Sequence, residues 1–212
     1  MLNIETFVVG PLPNNLYLLH DDEAGEAVVI DPSIGSDAAM QRMKSLQSSG
    51  VLLSAIWNTH GHFDHIYDNA LWQQEFAAPL VMHAADNFLL ERLAQQSLWF
   101  GMAPPERAVP DATLEDGQTV YVGNHVARVI HLPGHSPGSV GFFFENEGIC
   151  ISGDVLFRGS VGRTDLPGCS PDELQISLRK LAALPAATRI LSGHGDETTI
   201  EHELAHNPYL RD

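Results

Sequence analysis

The sequence predicts an α/β chain arranged as a four-layer αβ/βα sandwich, two sheets face to face with helices on their outer surfaces. Two observations carry that prediction. Ten short β-branched and apolar runs are spread along the 212 residues, first as hairpin-like pairs and then in alternation with helical segments, twice over. Glycine and proline fall singly between these runs, with no repeat, low-complexity tract or linker to divide the chain. Residues 1–212 are therefore expected to form one domain.

From the N-terminus, strands are expected at Ile4–Val9, Leu16–Leu19 and Ala27–Ile30. Ser36–Ser48 follows as a helix, its residues Met40, Met43 and Leu46 forming an apolar stripe behind Ser36 as N-cap. Leu52–Trp57 reads as a strand, Asn69–Phe76 as a helix, Leu80–Met82 as a strand and Ala84–Gln96 as one helix. The stretch Phe100–Gly117, with Pro104, Pro105 and Pro110, reads as a surface loop beside whatever site exists. Strands resume at Thr119–Val122, Ala127–Leu132, Val140–Phe144 and Ile149–Ser152. The helix Pro171–Leu184 opens with Ser170 as cap, Pro171 in the first turn and Glu173 three residues after the cap. A strand at Arg189–Leu191 and a helix at Ile200–Ala205 complete the pattern.

Composition narrows the function classes. Apolar residues at 44% and charged residues at 18% exclude a disordered or coiled-coil chain. Eleven Lys and Arg against 27 Asp and Glu give a formal charge of −16, which repels phosphate polymers and anionic membrane surfaces. Neither nucleic acid nor membrane is an expected partner. No apolar run approaches the ~18 residues of a spanning helix, and Met1–Glu5 lacks a basic leader, so a cytoplasmic protein is expected. The two cysteines, Cys150 and Cys169, lack the spacing of a disulfide framework or a thiolate zinc site.

Histidine is the unusual residue, with 11 copies. The strand Leu52–Trp57 discharges into Asn58-Thr59-His60-Gly61-His62-Phe63-Asp64-His65. At this chain's composition the HxHxDH pattern would arise by chance with a probability of roughly 0.002. Imidazole and carboxylate suit Zn, Fe or Mn. His60 and His62, two apart in extended chain, can face one ion while Asp64 and His65, past the bend, face another. Gly61 allows close backbone approach. Three more segments repeat the design of an apolar strand ending in a glycine-flanked donor: His135 in Pro133–Gly138, Asp154 after Ser152-Gly153, and His194 in Ser192–Gly195. His20, His83, His125, His131, His202 and His206 lack such context and read as surface or core residues.

On these motifs, with Asp31-Pro32 and Gly162-Arg163-Thr164-Asp165, the chain resembles the metallo-β-lactamase fold hydrolases, and within them the short, single-domain glyoxalase II-like (hydroxyacylglutathione hydrolase-like) group. The resemblance implies that His60, His62 and His135 bind a first divalent metal, that Asp64, His65 and His194 bind a second, and that Asp154 bridges them. Zn is the first choice, with Fe or Mn alternatives. Asp31 and Asp165 are expected to orient the ligands. Only Gly195–Asp212 follows the last donor, so the helical C-terminal domain that holds glutathione in longer relatives is expected to be missing. Many exported β-lactamases of this fold carry cysteine where this chain has Asp154, which argues against antibiotic hydrolysis.

The implied chemistry is hydrolysis of a small anionic glutathione thioester such as S-lactoylglutathione by a metal-bridging hydroxide, with Asp64 and Asp154 as the catalytic carboxylates. A thiolate, with a conjugate acid near ~8.5, leaves without prior protonation, whereas an amine needs an acid that the motifs do not supply. Arg158 and Arg163 are candidates for clamping a substrate carboxylate, with an Arg163–Asp165 pair as the competing assignment for Arg163. Three alternatives stand beside this reading: a mononuclear iron persulfide dioxygenase, a hydrolase of another small ester or lactone, and a metal-stabilised scaffold without activity. The last conflicts with a donor set that leaves positions open.

Overall fold

The computed structural model describes residues 1–210. Its strands are β1 (Asn3–Val9), β2 (Asn14–Asp21), β3 (Glu26–Ile30), β4 (Leu52–Trp57), β5 (Leu80–Met82), β6 (Ala112–Thr113), β7 (Thr119–Val122), β8 (His125–His131), β9 (Val140–Phe144), β10 (Ile149–Gly153), β11 (Leu156–Phe157), β12 (Ser160–Val161), β13 (Arg189–Ser192) and β14 (Thr198–Thr199). Its helices are α1 (Asp37–Ser48), α2 (Phe63–Ile66), α3 (Asn69–Phe76), α4 (Asn87–Glu91), α5 (Leu93–Trp99), α6 (Pro171–Ala182) and α7 (Ile200–His206). One sheet runs β1-β2-β3-β4-β5-β6 and the other β14-β13-β10-β9-β8-β7, with β11 and β12 as a separate ribbon.

Three apolar layers glue four layers of structure. Between the sheets, Tyr17, Leu19, Val28 and Ile30 meet Val129, Phe142, Phe144 and Ile151, and Trp57 stacks on Phe142 at 4.7 Å. On the outer face of the first sheet, Leu16, Leu18 and Val29 pack on Met43 and Leu46 of α1 and Trp72 of α3. On the outer face of the second, Phe143, Cys150 and Ile190 receive Leu174, Leu178 and Leu181 of α6. Alternate residues of β2 thus face opposite apolar layers, which is why the strand reads as a continuous apolar run. The four-layer αβ/βα sandwich expected from the sequence is the fold observed.

A register shift positions the site. Ala27 pairs with Leu53 but Val28 with Ala55, leaving Ser54 as the extra residue, its hydroxyl donating to the Ala27 carbonyl. The bulge flips the remainder of β4, so Ile56 faces α1 while Trp57 faces the other sheet. The chain then leaves the strand straight into Thr59 and His60.

The sequence expectation needs correction in three places. Ala84–Gln96 is not one helix: a 3-10 turn at Ala84–Asp86 precedes α4, and a break at Arg92 separates α4 from α5, which runs on to Trp99. The Phe100–Gly117 segment contains β6, which extends the first sheet beside β5. Ser36 precedes α1 but makes no side-chain cap; its hydroxyl donates to Asp68 and accepts from the Trp72 indole. Ser170, in contrast, does cap α6 by accepting from the Glu173 amide. No helix among the described residues is long and apolar enough to cross a membrane.

Candidate metal centre

The donor-bearing loops all follow C-terminal ends of strands. β3 and β4 run parallel in one sheet, and β8, β10 and β13 share a direction in the other. Their ends therefore open on a common rim, and Asp31, His60–His65, His135, Asp154 and His194 converge there from segments up to 163 residues apart.

Three three-donor groups form at this rim, two of them the sets selected from the sequence and the third Asp31, His60 and His65. His60, His62 and His135 offer ring nitrogens that all lie within 4.8 Å of one another, as do the donor atoms of Asp64, His65 and His194. Asp154 stands between those two groups. Its Oδ2 is 3.5 Å from His135 Nε2 and 3.4 Å from His194 Nε2, and its Oδ1 is 3.5 Å from His65 Nε2. His194 Nε2 also approaches Asp64 Oδ2 at 3.3 Å. All seven sequence-selected donors are thus in one cluster.

On four of the five donor histidines the other ring nitrogen faces an oxygen, which fixes orientation and tautomer; on His62, Nδ1 lies 2.8 Å from His135 Nε2 and Nε2 has no partner. His135 Nδ1 faces the Arg163 carbonyl at 2.9 Å, His194 Nδ1 the Pro13 carbonyl at 2.6 Å, and His65 Nδ1 a carboxylate oxygen of Asp31 at 3.0 Å. His60 Nδ1 lies 3.0 Å from Thr59 Oγ1, whose hydroxyl donates to the same Asp31 oxygen. Asp31 also accepts from the Thr59 amide at 2.7 Å. With its carboxylate so engaged, Asp31 stands where it orients His60 and His65, although its oxygen also lies within 4.8 Å of a ring nitrogen of each. Its φ of 53° turns the chain sharply after β3, a conformation aspartate tolerates better than most residues.

Three buried atoms belonging to these donors have no hydrogen-bond partner: His60 Nε2, His62 Nε2 and Asp154 Oδ1. Buried acceptors without a partner are costly unless a cation shares them, so the donor set fits metal ions. Electrostatics agree. Burial drives His60 well below the usual imidazole range and His62 down to about 3, leaving both rings neutral and able to ligate. Burial opposes ionisation of Asp154 and Asp64, but His65 and His194 beside them hold both carboxylates low. For His194 burial is outweighed by the Asp154 and Asp64 hydrogen bonds, which lift it to about 10. That proton stands where a cation would stand.

Asp86 is the orienting carboxylate that sequence reasoning missed. Fully buried, it accepts from the Gly61 amide at 2.8 Å, the Ser136 hydroxyl at 2.6 Å and the Gly138 amide at 2.6 Å. It therefore staples the His60–His62 loop to the His135 loop. A Cβ on Gly138 would run into Asp86, and one on Gly193 would strike the Asp154 carboxylate, so these two glycines are there for clearance. Gly61 packs closely on Asp86 and Leu89, as its small size suggested.

The arginines divide differently. Arg163 lines the cavity above the cluster, but its guanidinium is held by both oxygens of Asp165 at 2.6 and 2.7 Å. Asp165 makes no hydrogen bond to a donor histidine among the described residues; it holds Arg163, whose carbonyl meets His135. Arg158 is not among the cavity-lining residues and lies 3.7 Å from Asp196 on the exposed surface. Histidines outside the motifs sit apart: His83 stacks on His131, and His20 lies between Glu5 and Asp22. Cys150 is buried and Cys169 donates to the His135 carbonyl.

The sequence pattern of the metallo-beta-lactamase superfamily matches residues 9–194, a span that begins before Asp31 and ends on His194. This chain belongs to that superfamily. Hydroxyacylglutathione hydrolase GloC of Haemophilus influenzae is 34% identical, with 99% of this chain and 98% of that protein covered. An uncharacterized protein of Aquifex aeolicus is 36% identical over 97% and 96% of the two chains. Among solved structures, BLEG-1 B3 metallo-beta-lactamase superposes with a TM-score of 0.88 at 36% identity, covering all of both chains. TTHA1623 in a di-iron-bound form gives 0.87 at 38% identity over 97% of this chain and all of that one.

Proposed function

We propose that this protein is a dinuclear metal-dependent hydrolase of thioesters, with a glutathione thioester such as S-lactoylglutathione as its substrate. The observation that carries the reading is Asp154 standing between two three-donor groups at the floor of one open cavity. His60, His62 and His135 would hold one ion, Asp64, His65 and His194 the other, and Asp154 both. Bound there, two divalent ions supply Lewis acidity and a nucleophile usable at neutral pH. Zn, Fe and Mn all suit these donors, and the di-iron-bound relative makes iron a specific choice beside zinc.

The chain's own residues favour a leaving group that needs no proton. Asp64 and Asp154 are the carboxylates at the reaction floor, and their histidine neighbours hold both in the ionised form. Neither stores a proton to give away at neutral pH. A thiolate can leave with the electron pair of the broken C–S bond as the new C–O bond forms, and the acid product sheds its proton to solvent. Hydrolysis of a β-lactam amide is the second reading, favoured by the 36% identity to BLEG-1, but its amine must find a proton elsewhere.

Elemental analysis of protein purified without added metal, paired with S-lactoylglutathione, β-lactam and oxygen-uptake assays on one sample, separates the readings. Two metals with thioester hydrolysis is the expected result. One iron with oxygen uptake on glutathione persulfide would replace it with the dioxygenase. Asp154→Ala should lose most of the metal and nearly all activity while its circular dichroism is retained; full activity in that variant would refute the dinuclear assignment.

A further inference from the structure

The cavity above the donors has a volume of about 520 Å³, and its walls are overwhelmingly apolar. One wall is a single stripe along α4 and α5: Phe88, Arg92, Gln96, Trp99 and Phe100. Spacings of four, four and three keep the first four side chains on the cavity side of the α4–α5 segment across its break at Arg92, and Phe100, one residue past α5, joins them on the same wall. Phe100 stacks on Phe63 at 4.5 Å, and Phe63 sits in the chain between His62 and Asp64. The aromatic end of the stripe thus begins beside the metal donors themselves.

The wall is fixed to the site, not loosely draped over it. Gln96, 5% exposed, donates to the Gly61 carbonyl at 3.4 Å and the Leu89 carbonyl at 2.8 Å and accepts from the Phe63 amide at 3.3 Å. Yet Trp99 and Phe100 remain 57% and 46% exposed. Two aromatic rings held next to a reaction floor and left half in water are a surface that a bound apolar group would cover.

The same stripe carries the cavity's free cation. Of the two guanidiniums that line the cavity, Arg163 is neutralised by Asp165, whereas Arg92 has no carboxylate partner among the described residues and rests on the Phe88 ring at 5.9 Å. Arg92 and Trp99 are seven residues apart, about 10 Å along the helix.

We propose that this stripe is the specificity surface of the site: it selects thioesters whose acyl group is aromatic or bulky and apolar, packed on Trp99 and Phe100, with Arg92 holding one carboxylate of the thiol portion. The inference rests on the thioester reading given above. Glutathione itself has no bulky apolar group to cover the two rings, so the acyl substituent must do so, and the small polar lactoyl group leaves them wet. The reaction is unchanged: water adds to the thioester carbonyl, C–O forms, C–S breaks, and the thiolate departs with its electron pair.

The test compares S-mandeloylglutathione with S-lactoylglutathione in turnover, and the non-hydrolysable S-benzylglutathione with S-methylglutathione in binding, all on metal-loaded protein. Binding is read by calorimetry. The aryl member of each pair should be favoured about tenfold, and Trp99→Ala and Phe100→Ala should each erase that preference. Arg92→Ala should raise KM for both thioesters about tenfold with kcat little changed. Lactoyl and mandeloyl thioesters cleaved equally, or an aryl preference that survives both aromatic replacements, would overturn the proposal. If neither thioester is cleaved while benzyl still binds tightly through Trp99, the hydrolase reading fails and the apolar surface stands.

Discussion

Asp86 offers a direct measure of how the ligands are held. Asn at that position keeps the size and can still accept, but it loses the charge that two amides and a hydroxyl share. Asp86→Asn is expected to weaken metal held by His60, His62 and His135 about 10–100-fold while the Asp64–His65–His194 group keeps its own. Metal titration by competition with a chelator reads this: one weakened and one unaffected class supports the staple, and two equally weakened classes refute it. The seven donors were legible in the sequence because HxHxDH is compact and three other strands end in the same glycine-flanked way. Asp86 was not. Its partners, Gly61, Ser136 and Gly138, are 25 to 52 residues away, and a lone aspartate in a helical run carries no local signal. Arg163 and Asp165 were legible as a pair because they are two apart, whereas Arg158 finds Asp196 only through the fold.

At the scale of elements, α6 shows how a helix can serve a loop it does not belong to. Ser170 caps it, the Ser170 amide donates to the Gly134 carbonyl, and the Ser177 hydroxyl donates to the Pro133 carbonyl. Gly134 lies against the backbone of Leu174 so closely that a Cβ would collide with it. The first turn of α6 therefore shapes the loop that delivers His135. Ser170→Ala should cost about 1 kcal/mol by urea unfolding, with no change in metal stoichiometry; an unchanged midpoint would show the cap to be redundant. All ten expected strands are present because β-branched runs bounded by Gly and Pro are strong local signals. The four two-residue strands were invisible, since such pairings exist only where a neighbour happens to lie. The break at Arg92 was hidden for a related reason: apolar spacing continues through it, and the tertiary anchoring of Gln96 settles where the second helix starts.

For the whole molecule, the donor histidines set opposing pH limits once metal is removed. His194 and His65 are raised, His194 to about 10, so their contribution is fully present below an unfolded value of about 6.5 and is lost as pH rises toward 10. His62, lowered to about 3, works the other way: its contribution is present above about 6.5 and is lost as pH falls toward 3. Chelator-treated protein is thus expected to have its highest Tm near pH 6–7. Metal replaces the protons on His65 and His194, so loading at pH 7.5 should release about two protons, seen as a dependence of the titration enthalpy on the buffer used. The loaded protein should then keep its Tm between pH 7 and 9, where the stripped protein declines. A flat profile for stripped protein would rule out this account.

The ties between the ends of the chain give the molecule a schedule. Pro13 holds His194, and Asn15 and Tyr17 grip the carbonyls of Ser192 and Gly195. During synthesis, His65 emerges 129 residues before its partner His194, an interval on the order of 10 s at about 5–20 residues per second. Four of the seven donors are then already outside the ribosome, clustered within six residues and with no wall to shield them. A newborn chain is for those seconds an open chelator, free to take whichever ion the cell offers in excess. The ion found in the finished protein would therefore record cellular metal supply during translation as well as the preference of the completed cage.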